Sequence, residues 1–213
     1  MKTRLPYLAL IVLPLAGLTI GRSAALEAGD GTRYRINAAR SRLTAQVAVG
    51  GVFKGLGHPH VIAIQKFRGE VQANPRITGS GSIRLTIATG SLAEVGKQIK
   101  AKDRPKVNRA VHKEALETAR FPEAVFKSTQ VTVKQAGRQQ YNASIRGDLS
   151  LHGVTHTVSF PAKVRLQGSR LRAQGGFTLL HSDYGIKRLS AGGGTVKAKS
   201  EITVSFDIVA DKQ

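Results

Sequence analysis

The chain has no cysteine and no tryptophan, a single methionine, and only 13 acidic residues against 33 lysines and arginines. Without cysteine there is no disulfide framework, and no cysteine to carry a lipid at the amino terminus. Without tryptophan, and with aromatic residues at 5% of the chain, few large rings are available to fill the middle of a broad β structure. Those rings are not interleaved with the basic residues, as a stacking platform for single-stranded nucleic acid requires. Also missing are a G-x-S-x-G elbow, a P-loop and an H-E-x-x-H pair. The triple glycine at Gly192–Gly194 runs into a strand-like segment, so it cannot cradle phosphate at a helix start. His181-Ser182-Asp183 sets three triad residue types side by side, whereas a working triad is assembled from distant segments. These absences point away from an enzyme, a bound cofactor and a nucleic-acid partner.

What is present begins with charge. The formal net charge of +20 favours an anionic partner such as lipid head groups or a cell-envelope surface, the alternative being a solvated basic exterior. At the amino terminus, Lys2 and Arg4 precede an apolar stretch from Leu8 to Ile20, and Ser23-Ala24-Ala25 follows. This is the layout of a secretory signal peptide over residues 1–25, with Ala28 as a second cleavage choice. The thirteen residues from Leu8 to Ile20, interrupted by Pro14, fall short of the ~20 a membrane span needs. The expected location is therefore periplasmic or secreted. The remaining length suits one large β domain that needs no disulfide staples.

Most of that length alternates apolar and polar residues with a period of two. One run reads Tyr141, Ala143, Ile145, Gly147, Leu149, Leu151 on one face; another reads Val196, Ala198, Ser200, Ile202, Val204, Phe206, Ile208. Strands with one apolar face belong to an antiparallel sheet with one wet side. Short turns between them, at Gln135-Ala136-Gly137, His152-Gly153 and Gly168-Ser169, predict a meander that closes on itself. Near Gln65 the phase slips between Ile64 and Phe67, as a bulge would produce. Many inward positions are small: Ala45, Ala143, Gly147, Ala162, Ala173, Gly175 and Ala198. Small inward residues either leave a barrel with room inside it or let two faces approach closely. On the first reading the inward-facing Val47, Phe67, Leu85, Phe126, Ile145, Phe160, Phe177 and Phe206 are the candidate ligand contacts.

One stretch breaks the pattern. Lys97 to Lys113 carries seven basic residues, and Pro105 suits a first helical position. Val107, Val111, Ala115 and Ala119 recur every four residues up to Arg120. This predicts a helix crossing one end of the barrel, with Leu116 off its apolar stripe. Histidines offer the sharpest rival reading. His58 and His60 flank Pro59, and an H-x-H pair in extended chain points both rings to one side, as metal sites require. No third ligand is fixed by the sequence, so ordinary loop histidines are expected and no metal.

Several motifs together resemble the YceI-like family. Gly147-Asp148-Leu149-Ser150-Leu151-His152-Gly153-Val154-Thr155 is similar to its G-x-L-x-L-H-G-V-T signature. Phe121-Pro122 with Phe126-Lys127-Ser128-Thr129, Ser182-Asp183-Tyr184-Gly185-Ile186 and the opening Ser41-Arg42-Leu43 resemble further family motifs in the right order. Arg40 stands where the family opening usually has histidine, and Gly57-His58-Pro59-His60 resembles a branch carrying G-H-x-H. The resemblance covers residues 33–210. It implies an all-β, eight-stranded antiparallel lipocalin-like barrel with one helical excursion, and an exported, often dimeric carrier of an isoprenoid or other long lipid-like molecule. It implies no catalytic residues. A metal-binding barrel using His58 and His60, and a ligand-free structural or stress-related domain, remain the competing functions.

Overall fold

The computed structural model describes residues 31–50, 58–73, 81–191, 194 and 196–213; the expected signal peptide lies outside them. Twelve strands follow in chain order: β1 (Thr32–Ile36), β2 (Arg42–Gly50), β3 (His60–Ile64), β4 (Phe67–Ala73), β5 (Gly81–Ala88), β6 (Leu92–Glu94), β7 (Glu123–Gly137), β8 (Gln140–Leu151), β9 (Val154–Gln167), β10 (Arg170–Leu180), β11 (Ser190–Ala191) and β12 (Val196–Lys212). Helix α1 (Arg104–Ala110) separates β6 from β7.

The strands pair antiparallel in the order β1, β4, β5, β7, β8, β9, β10, β12. The circle closes where Tyr34, Arg35 and Ile36 of β1 pair with Lys212, Asp211 and Ala210 of β12. The result is a closed barrel of eight strands. The three short pairs β1/β2, β3/β4 and β5/β6 are each one broken strand, because β2, β3 and β6 continue the same order beside the first half of β12. The break between β3 and β4 falls at Gln65-Lys66, where the phase slip predicts it. Between β1 and β2, the Ser41 hydroxyl donates to the Asn37 carbonyl at 2.7 Å and accepts the Val209 N–H at 2.9 Å. The family's opening serine therefore stitches a broken strand to its neighbour.

The alternation sorts as expected. Ala143, Ile145, Gly147 and Leu149 are buried while Asn142, Ser144 and Arg146 are exposed. On β12, Ile208 is buried and Thr203 and Ser205 are exposed, while Val204, Phe206 and Asp207 are all half-buried, Asp207 being drawn in by its pairing with Arg172. Two boundaries differ from expectation. Strand β7 continues through Gly137, and the turn is Arg138-Gln139, with Gln139 in the left-handed region at φ 59°. The helix ends at Ala115 rather than Arg120: α1 passes into a wide π turn over Val111–Ala115, closed by the Leu116 N–H to the Val111 carbonyl at 2.9 Å. That extra residue per turn rotates Leu116 inward, which a strict four-residue stripe could not predict.

The barrel is hydrogen-bonded all round at one end and split at the other. The β9–β10 ladder runs from Arg170 and Gln167 to Gly175 and Ala162 and stops there. Pro161 is the next residue of β9, and it has no N–H to continue the ladder. On the rung beyond, the rings of Phe160 and Phe177 stack with centroids 4.8 Å apart. On the far side β6 pairs with β3, and α1 packs beside it, the Asn108 side-chain oxygen accepting the Glu94 N–H at 2.8 Å.

Candidate functional site

The inward faces do not fill the barrel. A central cavity of about 210 Å³ is walled by apolar side chains from nearly every strand, Thr89 being the one polar residue among the described residues of its lining. Leu85, Phe126, Ile145, Phe160, Phe177 and Phe206 all line it. Phe160 is the hub of these rings, 5.5 Å from Phe126, 4.8 Å from Phe177 and 5.6 Å from Phe206 between centroids. A second chamber of about 260 Å³ lies between β2, β12 and the helical segment, and Val47 lines it. Ala45, Leu92, Leu116, Ile186 and Ile202 border both spaces, so the chambers are consecutive. At the ~30 Å³ of a water-sized group, together they hold roughly fifteen carbon atoms. A lone apolar cavity of ~150 Å³ already stays dry and takes up benzene.

Phe67 departs from the expected set. It is buried against Tyr34, Ile36, Leu43 and Ile208 in a separate packed cluster and borders neither chamber. The small residues divide as well. Ala45 and Ala173 border the central cavity and Ala198 the second chamber. Ala143 and Ala162, 4% and 3% exposed, sit in close packing instead. A methyl group on Gly147 would lie 2.6 Å from the Phe126 ring, and one on Gly175 would lie 2.7 Å from the Phe206 ring. These two glycines make room for aromatic rings, which in turn shape the cavity wall.

The segments that carry the family resemblance converge beside the split end. His152 Nδ1 donates to the Tyr184 carbonyl at 3.0 Å, and the His152 and Phe121 rings stand 4.4 Å apart. Gly153, at φ 78°, has the Phe121 ring 2.7 Å from where a Cβ would stand. Tyr184 is 1% exposed and Gly185 adopts φ 61°. The motif residues of this cluster bond and pack on one another.

The histidine pair is drawn apart in role. His58 is exposed. His60 Nδ1 lies 2.7 Å from Glu94 Oε2, and the Glu94 side chain has no exposure. The other Glu94 oxygen accepts the N–H groups of Gly96 at 2.6 Å and Val61 at 3.3 Å. Among the described residues no group of three histidines or carboxylates is placed to hold a metal ion. His181, which the sequence offered only within a run of adjacent triad residue types, is 5% exposed and lines the second chamber with His60, Lys106 and Ser190.

A YceI-like domain model matches residues 34–210. The chain belongs to the YceI-like family. It is 32% identical over 143 residues to a UPF0312 protein of Pseudomonas savastanoi, a match covering 62% of this chain and 65% of that protein's length. To a UPF0312 protein of Shewanella denitrificans it is 27% identical over 91% of this chain and 95% of that one. Among solved structures, Burkholderia cenocepacia BcnA superposes with a TM-score of 0.62 at 23% identity, over 82% of this chain and 98% of that one. A polyisoprenoid binding domain from Saccharophagus degradans, implicated in plant cell wall breakdown, superposes with a TM-score of 0.58 at 16% identity, over 84% and 98%. At these identities the structural likeness establishes the YceI-like fold.

Proposed function

We propose that this YceI-like protein is an exported, non-enzymatic carrier of an elongated apolar molecule, of isoprenoid or similar lipid character. The observation that carries the reading is the apolar central cavity of about 210 Å³, with Thr89 the single polar residue among its described lining, and the second chamber that adjoins it. Such a space binds by apolar burial, about 0.8 kcal/mol per methylene. The Saccharophagus neighbour described as a polyisoprenoid binding domain supports the ligand class. Export rests on the leader-like residues 1–25.

The outer side of the helical segment supports an anionic surface as the place of loading. Lys97, Lys100, Lys102, Lys106, Arg109 and Lys113 are exposed there, while Val107, Ala110 and Val111 line the chamber beneath. Charge on the outside would hold this end to anionic head groups with the chamber directly behind it.

The test is native mass spectrometry of protein recovered from the periplasm, followed by organic extraction. A non-covalent adduct that extracts into solvent as a lipid supports the carrier reading. Protein that emerges without an adduct, and that takes up no farnesol after delipidation, refutes it.

A further inference from the structure

Among the described residues, the second chamber is apolar except for His60, His181, Lys106 and Ser190. His181 follows the last residue of β10, and its ring Nδ1 lies 2.9 Å from the Ser200 backbone oxygen. A carbonyl only accepts, so Nδ1 carries the proton. In a neutral ring Nε2 is then a lone-pair acceptor, and among the described residues it has no partner. Burial, before any other influence, holds this imidazole below its ordinary value, with the charge of Arg188 acting the same way against the Ser200 bond. The ring is therefore neutral near pH 7. Nε2 is thus left to accept a donor from a molecule that enters the chamber.

His60 repeats the arrangement. Its Nδ1 is fixed on Glu94, whose buried carboxylate is itself held by two backbone N–H groups. Each ring is oriented through Nδ1, and each leaves Nε2 for something else, the device by which a binding site fixes its first contacts.

We propose that the second chamber is a head-group subsite for a hydroxyl at the end of an apolar chain, with His181 Nε2 accepting the hydroxyl proton while the chain lies in the central cavity. This rests on the carrier reading above. The lone pair selects the chemistry: a phosphate, ether or ketone brings only acceptors to His181, whereas an alcohol or phenol brings a donor.

The test pairs two probes of equal chain length, farnesol and farnesyl methyl ether, titrated calorimetrically into delipidated protein with a chelator present. The wild type should prefer farnesol about three- to tenfold, the worth of one net hydrogen bond. In His181→Asn, whose amide keeps the Ser200 bond and removes the chamber-facing nitrogen, the preference should vanish with the ether affinity unchanged. A readout that needs no variant is the imidazole nitrogen spectrum of the wild type: the unprotonated Nε2 signal of His181 should move with farnesol and stay with the ether. Equal binding of both probes by the wild type, a preference that survives in His181→Asn, or an Nε2 signal indifferent to farnesol would each overturn the subsite while leaving the carrier intact. Failure of the wild type to bind either probe would refute the carrier reading and the subsite with it.

Discussion

Ala45 stands on the wall shared by the two chambers, and enlarging it separates a vacant barrel from a packed one. Leucine at this position adds three carbon atoms, about 90 Å³ at the size of a water-like group, into a cavity of about 210 Å³. In empty space those atoms are buried without displacing protein, a gain of up to about 2 kcal/mol at 0.8 kcal/mol per methylene. The same substitution at Ala143, 4% exposed and bordering neither chamber, overpacks a filled region and should cost about 1–3 kcal/mol. The lost volume should also expel about three methylenes of ligand, lowering farnesol affinity roughly fiftyfold. With no tryptophan to report unfolding, far-ultraviolet circular dichroism in urea on the delipidated variants measures the first effect, and calorimetric titration the second. If Ala45→Leu is destabilised as much as Ala143→Leu and binds farnesol as the wild type does, the cavity is not a binding space.

Further outcomes follow from single features. Gly175→Ala should destabilise by about 1–3 kcal/mol, because its methyl would stand 2.5 Å from the Pro161 carbonyl and 2.7 Å from the Phe206 ring; an unchanged urea midpoint would contradict that packing. Because burial holds His181 below the ordinary imidazole value of 6.5, the unfolded chain takes up its proton first. Its contribution is complete above about pH 6.5 and is lost as pH falls through the native value, with a slope of at most about 1.4 kcal/mol per pH unit; thermal unfolding from pH 7.5 to 5 should show that slope reduced in His181→Asn. Replacing Lys97, Lys102 and Lys106 by glutamine should weaken co-sedimentation with phosphatidylglycerol vesicles about a hundredfold at low salt, at about 1 kcal/mol per cation; unaltered binding would remove the helical segment as the contact. Amino-terminal sequencing of the envelope-derived protein should begin at Leu26 or Gly29, and an intact Met1 would refute export.

Much of the barrel is legible because it is written locally. Period-two alternation assigns each strand face without knowledge of its neighbours, and His152-Gly153 marks its turn by two left-handed backbones, φ 53° and 78°. What was hidden depends on partners far along the chain. Nothing near Gly147 or Gly175 tells whether a small residue faces emptiness or a phenylalanine ring; the rings that cover them belong to Phe126 and Phe206. Phe67 has the same inward pattern as Phe126, yet the break after Ile64 turns it into a separate cluster. His181 acquires its tautomer from Ser200, brought opposite by the β10–β12 register. No spacing in the sequence announces that bond.

The β9–β10 seam changes what kind of vessel this barrel is. Where every strand is laddered to the next, the hoop has a fixed circumference, and stretching it breaks a row of hydrogen bonds at once. Here, beyond Ala162 and Gly175, the hoop is fastened by the stacked rings of Phe160 and Phe177, a contact worth about 0.5–1.5 kcal/mol. Girth at that level is therefore cheaper to alter than where the ladder is complete. The same slack hands back two half-edges that a fully laddered barrel would have abolished, and Pro161, with no N–H to offer another chain, is the guard left standing on one of them.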